Sequence, residues 1–78
     1  MARPIIIIAE ETPGRYTVSV IGRFGGGFSG ARFSREALIA RLGLLKSYDC
    51  GDLPATVICP ASVEAEFRAV FPDSFADA

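Results

Sequence analysis

Two segments near the start of the chain have the apolar patterning of β-strands. Residues 15–20 read Arg-Tyr-Thr-Val-Ser-Val, and this strict alternation predicts a strand with one buried face. The run Ile5–Ile8 is β-branched throughout, which favours a strand and predicts burial on both faces. Pro13 and Gly14 lie between the two segments, where Pro fixes φ and Gly accepts a positive φ. The pattern therefore predicts an antiparallel hairpin.

Two later segments have helical spacing. Ser34 is a good N-cap, and the apolar positions that follow predict a helix from Arg35 to about Ser47. Gly43 lies inside this helix at a cost of about 1 kcal/mol relative to Ala, unless a close packing contact requires it. A second helix is predicted over residues 62–71, ended by Pro72. Its apolar side chains form one stripe: Val63, Phe67, Val70 and Phe71.

The segments between these elements complete the predicted fold. Residues 22–30 include five glycines and predict a loop over at least residues 25–27. Residues 28–33 can form a third strand, with Ser29, Ala31 and Phe33 on one face. Residues 55–59 predict a short strand. The order β-β-(β)-α-β-α predicts a single α+β domain over residues 1–78, a small, mainly antiparallel sheet with two helices packed on one face.

Composition narrows the classes of function. The chain has 78 residues, of which 50% are apolar, and this argues against intrinsic disorder. It contains no His, which removes Ser–His and Cys–His catalysis and the commonest metal ligand. Glu64 and Glu66 are two positions apart, so on a helix they do not form an acid/base pair. We therefore predict a protein without enzymatic activity, cofactor or metal.

The sequence predicts a cytoplasmic protein that does not enter a membrane. The longest aliphatic run, Ile5–Ala9, is too short for a membrane span or a signal peptide. Two cysteines are too few for a disulfide scaffold, which favours a reducing compartment. A bridge between Cys50 and Cys59 is the less favoured alternative.

Charge and aromatic residues suggest a binding surface. Residues 1–48 carry seven basic and three acidic side chains, whereas residues 49–78 carry one basic and six acidic. The acidic part can approach a basic partner, and the alternative is that both parts are solvated. Three phenylalanines have no obvious place in the predicted core. The candidate partner-binding residues are Phe24, Phe28, Asp49, Asp52, Glu64, Glu66, Asp73 and Phe75.

Two motifs give alternative functions. Cys59-Pro60-Ala61-Ser62 places a thiol before a helix and resembles a single-cysteine thioredoxin motif, whose thiolate the helix dipole would favour. The structural alternative is that Cys59 closes a buried strand.

Residues 23–33 interleave Gly, Phe and Arg, as in surfaces that stack bases and neutralise phosphates. Direct nucleic-acid binding is less favoured, because the chain has no basic excess.

The N-terminal half resembles small phage-encoded anti-CRISPR proteins, in particular a type I-F inhibitor. The likeness covers residues 3–45. It rests on Arg3-Pro4, an aliphatic strand, Glu11-Thr12-Pro13, the residues Gly14, Tyr16, Val18 and Val20, and Gly30-Ala31-Arg32 before an Ala-rich helix. The resemblance implies a non-enzymatic inhibitor in the host bacterial cytoplasm. Its implied partner is the host's type I CRISPR-Cas surveillance complex, at which it would block target DNA binding or nuclease recruitment. A homodimer is a further possibility, and the alternative function is a nucleic-acid-associated phage regulator that uses the Gly/Phe/Arg loop.

Overall fold

The fold is a four-stranded sheet with three helices packed against it, as a computed structural model shows for residues 3–22, 26–48 and 54–75. The elements are β1 (Ile5–Thr12), β2 (Arg15–Ile21), β3 (Gly27–Ser34), α1 (Arg35–Ala40), α2 (Leu42–Lys46), β4 (Thr56–Ile58), α3 (Ala61–Val70) and a 3-10 turn (Pro72–Ser74). The strand order is β3-β2-β1-β4; β1, β2 and β3 are antiparallel neighbours, whereas β4 runs parallel to β1. The predicted α+β class is confirmed, with a mixed, mostly antiparallel sheet.

The N-terminal hairpin forms where the sequence predicts it. Pro13 and Gly14 make the turn, and Gly14 has a φ of 79°, which only glycine adopts without strain. Strands β1 and β2 pair from Ile5↔Ile21 to Thr12↔Arg15, with a bulge between Glu10 and Thr12. The local turn chemistry thus sets the register between β1 and β2.

Strand β3 contains a bulge that changes which side chains face the helices. Val18 pairs with Ala31 but Val20 pairs with Phe28, so two residues of β3 lie opposite Ser19. Gly30 occupies the bulge at φ 77°. The predicted common face of Ser29, Ala31 and Phe33 is therefore wrong at Ser29, because the extra residue places Phe28 on that face instead. The strand also begins at Gly27, inside the predicted loop, where a Cβ would overlap the carbonyl of Val20.

The predicted helix over residues 35–47 is divided into α1 and α2. Ser34 caps α1 as predicted, since its hydroxyl accepts a hydrogen bond from the N–H of Ala37 at 3.2 Å. The division falls at Arg41, whose N–H bonds to the carbonyl of Leu38, three residues back, at 3.0 Å. This tighter turn ends the regular hydrogen bonding of α1, in which each N–H bonds to the carbonyl four residues back. Gly43 lies two residues further on, and a Cβ there would meet nothing within 4 Å, so no packing contact requires glycine.

Helix α3 confirms the predicted apolar stripe. Val63, Phe67 and Phe71 are buried, and Val70 is half-buried. The rings of Phe67 and Phe71 stack with centroids 6.0 Å apart. Phe75 also packs against this core, although the sequence suggested no place for it.

The core occupies one side of the sheet. Its members are apolar residues of β1, β2, the β4 region and the three helices with the residue that follows α3: Ile6, Ile8, Tyr16, Val18, Val20, Leu38, Leu42, Leu45, Ala55, Val57, Val63, Phe67 and Phe71. Ile5 and Ile7 point to the other side and are partly exposed, so the prediction that Ile5–Ile8 is buried on both faces is wrong. The reason is that all the described helices pack on the side of Ile6 and Ile8. In the described ranges, no helix is long and apolar enough to span a membrane.

Candidate protein-binding surface

An apolar notch opens at the surface between β3 and the helical segments α1 and α2. It encloses about 80 Å³. The lining residues are Val18, Phe28, Phe33, Leu38, Arg41, Leu44 and Leu45. At its mouth, Phe28 is 41% exposed and Leu44 is 67% exposed, whereas Val18, Leu38 and Leu45 form a buried floor. The notch therefore presents large apolar side chains to solvent over an apolar base.

The bulge in β3 and the division of the helix build this notch. Because of the bulge, Phe28 lies on the same side of the sheet as its partner Val20. Leu44 belongs to α2, outside the apolar stripe formed by Leu42 and Leu45, which are buried. Sequence reasoning identified Phe28 as a candidate but missed Leu44. The sequence did contain an indication of its exposure, since Leu44 does not share the helical spacing of the apolar residues that predict the core.

A cation is fixed at the rim of the notch. The guanidinium carbon of Arg41 lies 4.7 Å from the centre of the Phe33 ring. The same guanidinium donates to the carbonyl of Ala37 at 3.4 Å. Arginine stacked on an aromatic ring in this way retains its charge while its position is restricted. The rim therefore favours partner groups that are apolar with an acidic neighbour.

A polar groove lies beside the notch, on the other side of Phe33. It encloses about 240 Å³ and is lined by Glu11, Thr12, Arg15, Arg32 and Phe33. Glu11 and Arg32 form an ion pair across it at 3.5 Å, and both side chains are largely exposed. An exposed pair of this kind contributes little to stability, so a partner can replace it at low cost.

Two of the predicted acidic residues, Glu64 and Glu66, are paired with arginines within the domain. The carboxylate of Glu64 accepts a hydrogen bond from Arg68 at 2.7 Å, and that of Glu66 pairs with Arg35 on α1. Asp73 is exposed on the 3-10 turn. The remaining candidates of this set, Phe24, Asp49 and Asp52, lie outside the described residues. The charges of Glu64 and Glu66 are thus partly neutralised within the domain.

Of the two arginines in the Gly/Phe/Arg segment, Arg32 has an intramolecular contact, and Arg23 lies outside the described residues. Arg32 is paired with Glu11, and Arg41, which follows the segment, covers Phe33. Phe75 is similarly covered, because the guanidinium of Arg68 lies 4.7 Å from its ring centre. The described arginine of this segment is therefore already paired with a carboxylate.

The Cys59 thiol is not activated as the thioredoxin-like motif predicted. Cys59 is free and half-buried, and burial raises the pKa of its thiol above the ordinary value. The nearby carboxylate of Glu64 raises this pKa further, and Arg68 opposes it. The expectation of a favoured thiolate is therefore wrong, because burial of the thiol and the nearby Glu64 carboxylate outweigh the effect of Arg68. The alternative pairing with Cys50 lies outside the described residues.

A chain of hydrogen bonds connects the hairpin to α3. The Tyr16 hydroxyl lies 2.9 Å from the Ser62 hydroxyl, and Ser62 donates to the Glu10 carboxylate at 3.2 Å. The second Glu10 oxygen accepts from the N–H of Gly14 at 3.2 Å. Glu10 is exposed, as the sequence suggested, but its carboxylate also fixes the turn and the start of the helix.

Within residues 3–22, 26–48 and 54–75, no three His, Cys, Asp or Glu side chains lie close enough together to hold a metal ion.

Comparisons of the chain with protein-family models, with curated proteins and with solved structures find no significant match. The protein is therefore described by its own structure, as a small α+β domain with an apolar notch at its surface.

Proposed function

We propose that this chain is a non-enzymatic inhibitor that binds a protein partner through the notch between β3 and α2. The partner is a type I CRISPR-Cas surveillance complex, and binding blocks target DNA or recruitment of the nuclease. The observation that supports a protein-binding role is the exposure of Phe28 and Leu44 above an apolar floor. The partner itself is proposed from the resemblance of residues 3–45 to anti-CRISPR proteins.

The size of the notch fits an anchoring side chain rather than a metabolite. A cavity of about 80 Å³ is far below the 300–1,000 Å³ typical of small-molecule sites. It has the volume of one aliphatic or aromatic side chain, and such buried anchors supply most of the energy at protein interfaces. Burying one large apolar side chain contributes about 1.5–3 kcal/mol. An anchor in this notch would therefore change the affinity by roughly 10- to 100-fold.

Arg41 adds selectivity to this contact. Its guanidinium is held at the rim by Phe33 and by the carbonyl of Ala37. A partner with a carboxylate beside its apolar anchor would be favoured, and a partner with a basic group there would be disfavoured. The inhibitor would thus recognise an apolar and acidic segment of a protein subunit, and not the basic channel that holds nucleic acid.

The experiment measures binding of purified type I surveillance complexes to the protein and to three variants. Phe28→Ala and Leu44→Glu alter the mouth of the notch, and we expect each to weaken binding by roughly 10-fold or more. Ala69→Glu is the matched control, because Ala69 is exposed on α3 away from the notch. It should bind as the unmodified protein does. DNA binding by the complex is then measured with and without each protein.

Two results would contradict the proposal. The first is an affinity that is unchanged in both notch variants, which would place the contact elsewhere. The second is a protein that captures no surveillance complex but shifts DNA by itself, with a steep loss of affinity as salt rises. That result would favour the nucleic-acid-associated regulator, acting through the Gly/Phe/Arg segment.

A further inference from the structure

Strand β3 lies at one edge of the sheet, and the notch opens along it. The strand order β3-β2-β1-β4 leaves the outer side of β3 without a neighbouring strand among the described residues. Most of its eight residues are exposed. An edge strand of this kind presents backbone N–H and C=O groups that can pair with another extended chain. The notch therefore lies beside a row of backbone hydrogen-bonding groups.

The register of the sheet determines which groups of β3 point outwards. The N–H of Arg35, directly after the strand, donates to the carbonyl of Gly14 at 3.2 Å, so this residue bonds toward the hairpin. In an antiparallel ladder the direction of these bonds alternates from one residue to the next. Arg32 and Ser34, three positions and one position before Arg35, therefore direct their N–H groups away from β2. In the described ranges, no backbone group bonds to either of them.

The side chains of β3 that face the helices leave a gap at the notch. Phe28, Ala31 and Phe33 pair with buried residues of β2 and share their side of the sheet. Ala31 is the small residue between the two rings, and its partner Val18 forms part of the floor of the notch. A strand added outside β3 would place one side chain about 5 Å from Ala31 and another, two residues along, beside Phe33. The first can enter the notch, and the second lies near the guanidinium of Arg41, which covers the Phe33 ring.

We infer that the partner contributes an extended, acidic segment that adds to the outer edge of β3 as a further antiparallel strand. This inference rests on the proposed binding role of the notch and defines the form of the segment that enters it. The segment pairs with the N–H and C=O of Arg32 and places an apolar side chain in the notch. It carries a carboxylate two positions earlier, facing Arg41. In this mode of recognition the backbone pairing supplies affinity and the alternate side chains supply specificity.

A second copy of this chain fits the edge less well than an acidic segment does. The sequence of β3 is Gly-Phe-Ser-Gly-Ala-Arg-Phe-Ser, which contains no carboxylate, so pairing of two β3 strands brings none to Arg41. A two-fold axis at Arg32 would also place two guanidiniums directly opposite each other, which is destabilising. The bulge at Gly30 would occur in both strands and interrupt a longer ladder. Charge complementarity at Arg41 therefore favours a different chain as the occupant.

The test is binding of a short synthetic peptide to the isotope-labelled protein, followed through the backbone amide signals in NMR spectra. The probe is a capped chain of threonines that contains one glutamate and, two positions later, one leucine. One control peptide has lysine in place of glutamate, and another is methylated on the backbone nitrogen between the two residues. On the protein, Arg32→Pro removes the outward N–H at an edge strand, where proline is tolerated, and Arg32→Ala is its matched control. Circular dichroism is recorded for both variants, and the methylated peptide decides the result if Arg32→Pro does not fold.

We expect the amide signals of Arg32 and Ser34 to shift on titration and their hydrogen exchange to slow. Methylation of the peptide and Arg32→Pro should each weaken binding by roughly 10-fold relative to the matched control, because a backbone hydrogen bond is lost. The lysine peptide should also bind more weakly, and Arg41→Ala should reduce that difference.

Three results would overturn the inference. The first is the absence of any shift at Arg32 and Ser34 with peptide on the order of 5 mM. The second is equal binding of the methylated peptide, or equal binding by folded Arg32→Pro and Arg32→Ala. The third is protection of these amides in the protein alone together with twice the monomer mass of 8.3 kDa, which would make a second copy the occupant.

Hydrogen exchange of the protein bound to a surveillance complex separates this inference from the proposed function. A complex that binds through the notch, as Phe28→Ala and Leu44→Glu report, but leaves the amides of Arg32 and Ser34 unprotected would support the function and overturn the inference. A protein that binds the peptide at the edge of β3 but binds no surveillance complex would support the inference and contradict the proposed partner.

Discussion

Replacing Tyr16 or Ser62 tests how the hairpin is joined to α3. Tyr16 is only 2% exposed, and its hydroxyl lies 2.9 Å from that of Ser62. Ser62 has a single hydroxyl hydrogen, which it donates to Glu10 at 3.2 Å. Tyr16 must therefore donate to Ser62. The direction of the chain, from Tyr16 to Ser62 to Glu10, determines what each substitution leaves behind.

The two single substitutions have different expected costs. Tyr16→Phe removes the donor and leaves Ser62 bonded to Glu10, which should reduce the free energy of unfolding by about 0.5–1.5 kcal/mol. Ser62→Ala removes the acceptor of a nearly buried hydroxyl, which should cost about 1–3 kcal/mol. In the double variant no Tyr16 hydroxyl remains unsatisfied. The combined cost should therefore be smaller than the sum of the single costs, by about 1 kcal/mol.

The assay is urea unfolding at 25 °C, followed by circular dichroism, for the unmodified protein, the two single variants and the double variant. For a domain of this size, about 1 kcal/mol corresponds to a shift of roughly 4–8 °C in Tm, so thermal unfolding gives an independent check. Strictly additive costs would refute the reasoning, since they would show that the two hydroxyls do not interact. An equal or lower cost for Ser62→Ala than for Tyr16→Phe would refute the proposed direction of donation.

Three further substitutions or reactions test other parts of the fold. Gly43→Ala should raise the free energy of unfolding by about 0.5–1 kcal/mol, because its Cβ meets open space, and a lower Tm would contradict this. Phe67→Ala should lower it by about 3–5 kcal/mol in urea unfolding, because the ring is fully buried; a loss below about 1 kcal/mol would show that the core does not depend on it. Cys59 should be alkylated more slowly at pH 7 than the same residue in urea, because its raised pKa keeps the thiol neutral and only the thiolate reacts. Its rate should rise with pH, and peptide mass spectrometry separates it from Cys50; faster reaction in the folded state would contradict the burial of the thiol.

The elements that sequence reasoning placed correctly depend on local chemistry. The Pro13-Gly14 turn, the Ser34 cap and the stop at Pro72 follow from backbone sterics and from hydrogen bonds within a few residues. The alternation in β2 and the stripe of α3 follow from the periods of a strand and a helix. These features need no knowledge of distant residues.

The candidate site was only partly predictable, because it depends on contacts between residues that are distant in the sequence. Phe28 stood out because no local pattern placed it in a core. Its position above the notch depends on the bulge opposite Ser19, and Leu44 reaches the notch through the division of the helix at Arg41. Pairing of Glu66 with Arg35 brings together residues 31 positions apart. No periodicity in the sequence indicates that contact.

The sequence by itself determined the hairpin, the start of α1, the apolar stripe of α3 and the α+β class, because these arise from short-range periodicity, turn chemistry and capping. Only the tertiary structure decided that β4 joins β1 in parallel, that Phe75 packs on the core, and that Ile5 and Ile7 face away from the helices. An isoleucine favours a strand wherever it occurs in the chain. Whether its side chain is buried depends on what packs above it. Here the described helices cover one side of the sheet and leave Ile5 and Ile7 on the other side partly exposed.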